Sequence, residues 1–252
     1  MKTILMILAA LLISLMASAQ DVIENVAAPR FSPYGITVKA DGLSQRQGSV
    51  VVLAGLENPA RRRKDVTLRC SLYDSYGRLV AQGATDLTIR ASRRVKAGQR
   101  VMLDAPLLWS VSDPALYTLR VELAETGAKE PSDSRQTTIG LCQATMAGPA
   151  HISLNGDMIP LRGLSVDPAI SPERFRRLLR VMRKAGMNAV EAIGAGEPLA
   201  SVADREGIML LDTAATDARH PSRIRIDAPV GLPADDIIDP AGFPTPRYYQ
   251  LS

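Results

Sequence analysis

The stretch Pro106-Leu107-Leu108-Trp109-Ser110-Val111-Ser112-Asp113-Pro114-Ala115-Leu116-Tyr117-Thr118-Leu119-Arg120-Val121-Glu122-Leu123 decides how the rest of the sequence is read. Tyr117, Leu119, Val121 and Leu123 alternate with Thr118, Arg120 and Glu122, and this period of two predicts a half-buried strand. Asp113-Pro114 predicts the turn that feeds it, because proline fixes its own φ and restrains the residue before it. The segment also carries the single tryptophan of the chain, Trp109. Before it the sequence reads as strands, and after it the period changes.

On the N-terminal side, short alternating segments fall at 35–40, 49–57, 66–72, 78–82, 86–91 and 100–103. With 117–123 and 136–141 they make seven to eight strands. Asn58-Pro59, Asp74-Ser75-Tyr76-Gly77 and Lys96-Ala97-Gly98-Gln99 supply turn chemistry between them. Regular short strands of this kind predict a β-sandwich of about 100 residues, and Tyr117 fits the tyrosine corner of immunoglobulin-like sandwiches.

On the C-terminal side, Asn155-Gly156 between two short apolar runs predicts a hairpin with a type I′ turn. Residues 160–166 read as a further strand. Ser171 as N-cap, Pro172 at the first helical position, Glu173 in the first turn and Gly186 as the stop delimit a helix. Its Phe175, Leu178, Leu179 and Met182 share one face. A strand at 188–193 and a helix at 197–206, ended by Gly207, lead to the continuous apolar run 208–211 of a strand buried on both faces. Alternation of this type opens an α/β barrel or a doubly wound sheet. From Thr213 onward no period recurs, and the Pro-rich end reads as an irregular tail.

The first residues form a targeting segment: Lys2, an apolar run over 4–16, and Ala17-Ser18-Ala19 as the cleavage site before Gln20. The run is shorter than the ~20 residues of a membrane span. A secreted or periplasmic protein is expected, without a membrane partner once the signal is cut. Cys70 and Cys142 could pair in such a compartment, with two buried free thiols as the alternative. The net charge of +4 is spread over scattered basic runs, Arg61-Arg62-Arg63-Lys64, Arg93-Arg94 and the helix at 174–184. No aromatic residues interleave with them, so solvated surface charge is expected rather than nucleic-acid binding.

Several motifs now fall in order. Leu107-Leu108-Trp109-Ser110 with Pro114, Leu116 and Tyr117 resembles the "P-x-L-W-S-x-x-x-P-x-L-Y-x-L" signature of glycoside hydrolase family 2, the β-galactosidases, β-glucuronidases and β-mannosidases. Leu154-Asn155-Gly156-Asp157-Met158-Ile159-Pro160-Leu161-Arg162-Gly163 is similar to its "L-N-G-K-P-I-x-L-R-G" run. Met182 to Val190, with Asn188, is similar to "M-K-x-x-G-x-N-A-V", and Asp204 and Gly207 fall in a run similar to "C-D-x-x-G-L". The tail from Asp239 to Leu251 is similar to "D-x-x-G-x-P-K-P-x-Y-Y". The resemblance implies an immunoglobulin-like β-sandwich followed by a partial α/β segment derived from a TIM barrel. The division expected is a signal peptide at 1–19, a short leader at 20–33, the sandwich at 34–142, a truncated barrel segment at 143–212 and a Pro-rich tail at 213–252. The family's jelly-roll domain is not expected ahead of the sandwich, and only the first three barrel strands and two helices can be placed.

Retaining glycosidases use two carboxyl groups, one donating a proton and one attacking. The resemblance implies a Glu in an Asn-Glu pair as the acid/base, yet Asn25, Asn58, Asn155 and Asn188 are each followed by another residue. It implies a nucleophilic Glu later in the barrel, and no Glu follows Glu206. Where the family has Arg and His after "N-A-V", this chain has Glu191 and Gly194; Asp167 stands near the expected place of another His. Thr213, beside Asp212, stands where the third strand ordinarily ends in an acid, and Gly140-Leu141-Cys142 replaces the family's "G-F-R".

Glu191 and Asp212 end consecutive predicted parallel strands and are the candidate acidic pair, against a reading as exposed polar residues at an unclosed sheet end. His151 and His220, the only histidines, show no metal-ligand spacing, and neither metal nor cofactor is expected. Ser165 and Ser201 lack the context of a nucleophile elbow. Gly194-Ala195-Gly196 before a helix lacks the third glycine and lysine of a phosphate loop. Trp109 is expected to pack between sandwich and barrel rather than stack on a sugar. The resulting expectation is an exported relative of β-galactosidases, acting in carbohydrate metabolism by descent, that does not cleave glycosides alone. The alternatives are a non-catalytic carbohydrate- or protein-binding assembly module, or a fragment of a split or decayed enzyme. The sandwich, the Tyr248-Tyr249 tail, a second copy or a protein partner could cover the open face and edge of the sheet.

Overall fold

A computed structural model describes residues 27–148, 150–214 and 219–232. The signal segment 1–19 with its cut after Ala19, the first half of the leader (20–26) and the tail motif from Asp239 to Leu251 lie outside the described residues. Among the described residues no helix is long and apolar enough to cross a membrane.

Seven antiparallel strands form the sandwich: β1 (Arg30–Asp41), β2 (Gln47–Asn58), β3 (Lys64–Tyr73), β4 (Leu79–Ile89), β5 (Arg93–Asp104), β6 (Tyr117–Glu125) and β7 (Asp133–Ile139). One sheet runs β1-β2-β5 and the other β4-β3-β6-β7. The alternation that opened the sequence reading holds: Tyr117, Leu119, Val121 and Leu123 of β6 are buried. They meet Val66, Leu68, Cys70 and Leu72 of β3, and Val50, Val52, Ala54 and Leu56 of β2, in one core. Each valine or leucine among them contributes about 1.5–3 kcal/mol by leaving water.

Three strand boundaries differ from expectation. β4 is one strand where two were expected, and the turn predicted at Lys96-Ala97-Gly98-Gln99 is part of β5, paired in register with Leu53 to Gly55 and neighbouring residues of β2. Ala97 faces the core at 7% exposure, so burial and a twelve-residue ladder outweigh local turn preference. The reversal instead falls at Ser92, whose φ is +52°. The leader expected over 20–33 also gives way at its end to β1, where Phe31 donates its N–H to Asp133 of β7 at 3.0 Å.

A second unit follows the 106–114 linker. The small sheet β10-β9-β8 comprises β8 (Ala144–Met146), β9 (His151–Leu154) and β10 (Asp157–Pro160). Asn155 and Gly156 both have positive φ, +55° and +96°, as a type I′ turn requires. A parallel sheet β11-β12-β13-β14 comes next, formed by β11 (Gly163–Ser165), β12 (Ala189–Glu191), β13 (Met209–Asp212) and β14 (Arg223–Arg225). Helices α1 (Pro172–Lys184) and α2 (Glu197–Glu206) join its first three strands. The caps are those predicted: the Ser171 hydroxyl accepts from Arg174 N–H, and Gly207 closes α2 in the left-handed conformation. A Cβ on Gly207 would also sit 2.7 Å from the Val111 carbonyl, so the helix end and the linker meet only over a glycine.

One expectation is corrected here: β14 is a fourth parallel strand inside the segment read as an irregular tail. Residues of the chain itself cover both faces of the sheet. Phe175, Leu179 and Met182 of α1 with Leu199 and Val202 of α2 cover one side. Trp109, Ile152, Leu154, Ile226 and Leu232 cover the other, over Ala189, Met209 and Leu211. The apolar run 208–211 is fully buried, as a strand enclosed on both faces must be.

Candidate functional site

The expected acidic pair lies at the C-terminal ends of β12 and β13, and the reading of both as exposed is wrong. Glu191 is 3% exposed and Asp212 0%. Glu191 accepts the Val230 N–H at 2.6 Å. Asp212 accepts the N–H groups of Gly194 at 2.9 Å and Ala214 at 3.1 Å. The Arg223 guanidinium reaches the second oxygen of Asp212 at 2.5 Å and donates to the Ala195 carbonyl at 2.9 Å. Burial alone would raise the Asp212 carboxyl. The Gly194 N–H, the Arg223 guanidinium and the Ala214 N–H outweigh it and hold the carboxyl below its usual range. The Gly194-Ala195-Gly196 loop therefore presents its first N–H to an internal carboxylate.

A second polar cluster was not foreseen. Asp204, inside a motif noted in the sequence, accepts Ser222 Oγ at 2.6 Å and Ser222 N at 3.0 Å on one oxygen. His220 Nδ1 lies 2.6 Å from the other oxygen. The Asp204 backbone carbonyl accepts the Trp109 indole N–H at 2.8 Å. All four residues are buried, so each polar group has its partner inside the protein, as burial demands. The signal that could have found this region is the alternation Arg223-Ile224-Arg225-Ile226, whose two isoleucines are buried.

Trp109 packs at the joint between the units, as expected. Its backbone N–H donates to the Leu141 carbonyl of the sandwich at 2.8 Å, and its own carbonyl accepts Asn155 Nδ2 at 2.9 Å. The remaining signature residues are positioned structurally as well. The Tyr117 hydroxyl accepts the Leu107 N–H at 2.7 Å, closing the corner. Asn188 accepts from Arg162 N and donates to the Pro160 carbonyl. Gly163 lies so close to the Ala189 carbonyl that no Cβ fits. Pro114 and Leu116 are half-buried just ahead of β6, and Arg162 is exposed.

The other candidates stand apart. Exposed His151 lies on β9, Ser165 is half-buried beside Glu191 in the sheet register, and Ser201 donates to Glu197 along α2. Asp167 caps the Ala169 N–H. Among the described residues no group of three His, Cys, Asp or Glu could hold a metal ion. The open disulfide question resolves to free thiols. Cys70 belongs to the sandwich core, whereas Cys142 donates to the Pro221 carbonyl at 3.2 Å. Burial pushes both up to about 12, with the Asp204 charge adding to it at Cys142. Neither is a reactive thiolate at neutral pH.

Residues 34–141 match the family model of glycosyl hydrolases family 2. A β-galactosidase of Bacteroides ovatus is 23% identical over 190 residues, covering 72% of this chain and 22% of that protein. A β-glucuronidase of Formosa agariphila is 22% identical over 62% of this chain and 17% of its own length. The chain thus spans about a fifth of these curated relatives. A solved glycosyl hydrolase family 2 member from Bacteroides cellulosilyticus superposes with a TM-score of 0.67 at 20% identity, covering 78% of this chain and 30% of that one. At that identity the likeness is one of fold.

Proposed function

The chain belongs to glycosyl hydrolase family 2 through its sandwich, and from that premise we propose that it is an exported, β-galactosidase-like member that does not hydrolyse glycosides by itself. The parallel unit after the sandwich is, in this reading, the opening of a TIM barrel. Its strand order β11-β12-β13-β14 and two connecting helices support that origin. Export rests on the Lys2 to Ala19 segment.

One observation carries the catalytic silence: the carboxylates at the strand ends are buried and committed to internal partners. A general acid or nucleophile has to come within hydrogen-bond reach of the scissile bond. Glu191 is turned to the Val230 backbone, and Asp212 is locked between two N–H groups and Arg223. Neither Asn-Glu nor any glutamate after Glu206 is there to replace them. The module then serves by binding or by assembly.

The test is a panel of nitrophenyl β-galactoside, β-glucuronide and β-mannoside incubated with purified chain. Release at the uncatalysed rate is expected for all three. Turnover that Glu191→Gln abolishes would overturn the proposal, since it would make Glu191 a working acid.

A further inference from the structure

Folding joins two arginine runs that stand far apart in the sequence. Asn58, at the end of β2, is fully buried. Its side-chain amide donates to the Arg62 carbonyl of the β2–β3 loop at 2.9 Å. It also donates to the Ile89 and Arg90 carbonyls at 3.0 and 3.2 Å, where β4 turns into β5. Its side-chain oxygen accepts the Ala60 N–H at 3.0 Å, and the Ala60 carbonyl accepts the Ser92 N–H at 2.9 Å. The ladders agree, with Asn58 opposite Arg93 and Lys64 opposite Ile89. One buried side chain thus ties both loops into a single tip, on which Arg61, Arg62, Arg63, Arg90 and Arg93 are all exposed.

Neither loop, 59–63 or 90–93, contains a carboxylate. Glu57 nearby takes Arg30 and Arg94, and Glu125 takes Lys64. Asp65 on β3 and Glu130 in the β6–β7 turn do not balance five guanidinium groups, so like charge gathers here against its own repulsion. The tip is the end of the sandwich away from the parallel unit. β6 runs from Tyr117, whose hydroxyl holds the linker at Leu107, to Glu125 opposite Val66, a span of about 26 Å.

We infer that this tip docks the protein on an anionic phospholipid surface. Guanidinium groups present donor forks that match phosphate in two bonds each, and they shed water more readily than ammonium groups do. The two loops carry no aromatic ring to stack on a base and no large apolar side chain to enter the acyl layer, so adsorption is by charge. Turn residues form the tip, and among the described residues no strand lies across it for a peptide to extend. A plane of phosphates is met by such an end without any pocket. The expectation of no membrane partner rests on hydropathy, which bears on spanning a bilayer and not on lying against one. Glycoside turnover bears on Glu191 and Asp212 alone, so the two proposals fail separately.

Co-sedimentation of the full chain with vesicles of phosphatidylcholine and phosphatidylglycerol in equal parts, against vesicles of phosphatidylcholine alone, tests it. Binding to the mixed vesicles only is expected, weakening with salt as the Debye length falls from about 10 Å at 0.1 M to about 3 Å at 1 M. Each basic residue at an anionic surface strengthens adsorption about fivefold. Arg62→Gln, Arg63→Gln and Arg90→Gln combined should therefore weaken it on the order of a hundredfold without lowering the melting temperature. Removing the same charge from α1, with Arg174→Gln, Arg177→Gln and Lys184→Gln, should cost far less. Equal binding to both kinds of vesicle, or an equal loss from the α1 variant, would overturn the inference. Tighter capture of polyglutamate or of an oligonucleotide than of vesicles, lost in the tip variant, would overturn it in favour of a soluble polyanion.

Discussion

The sandwich and the parallel unit place their buried polar groups differently. The sandwich sets several of its ion pairs at the rim: Arg30 and Arg94 reach Glu57, and Arg100 reaches Asp41, all with exposed guanidinium groups. Its core cluster is apolar, and the larger polar groups it buries stand at strand ends: Asn58 donates to the Arg62, Ile89 and Arg90 carbonyls, Lys64 donates to Glu125, and Asp74 accepts from Tyr76 and Arg78. The parallel unit instead encloses Glu191, Asp204 and Asp212, each matched by a donor from a distant stretch. Stability in the first case is spread over many contacts. In the second it is concentrated in a few pairs, and losing one partner leaves a buried polar group alone.

The sharpest way to break this contrast is Asp204→Ala. It strips His220 and Ser222 of their acceptor, and removal of one side of such a buried pair costs about 3–5 kcal/mol. Amide exchange should quicken throughout α2 and β14 while β2, β3 and β6 keep their protection. Equal loss in the sandwich would show that the two units are energetically one.

Acid provides a smaller test of the same idea. The Asp212 carboxyl is held below its usual range in the folded chain, so the unfolded chain takes up the proton first as pH falls. Its contribution is complete above the unfolded value of about 3.9 and is lost as pH drops through the lower folded value. Arg223→Met removes one of the groups that depress it, so the acid limb of the parallel unit should move to higher pH. Circular dichroism across a pH titration would show it; an unmoved limb would detach Asp212 from acid stability.

The smallest effect belongs to the sandwich corner. Tyr117→Phe leaves the Leu107 N–H without its acceptor, a loss of about 1 kcal/mol. An unfolding free energy from urea titration that drops by several times that amount would mean that the sandwich, too, hangs on single polar contacts.

The features legible in the sequence were local. The β6 alternation, the Ser171-Pro172 helix start, Gly207 and the Asn155-Gly156 hairpin each carry their instruction within a few residues. The β4–β5 boundaries were misplaced because Gly98 has turn character on its own but sits opposite Leu53 in the ladder. β14 was hidden by its three-residue length and by the irregular approach to it. At the site, residue types and strand ends were legible, whereas exposure was not. Glu191 finds its donor 39 positions away in Val230, and nothing near Glu191 in sequence announces that contact.

The placement of the chain's single tryptophan has a practical consequence. Trp109 is fully buried at the seam, hydrogen-bonded to sandwich, hairpin and α2 alike. Its emission therefore watches that seam and no other place. Separation of the two units should shift the fluorescence to the red, and a change confined to the far edges of either unit should leave the emission where it was.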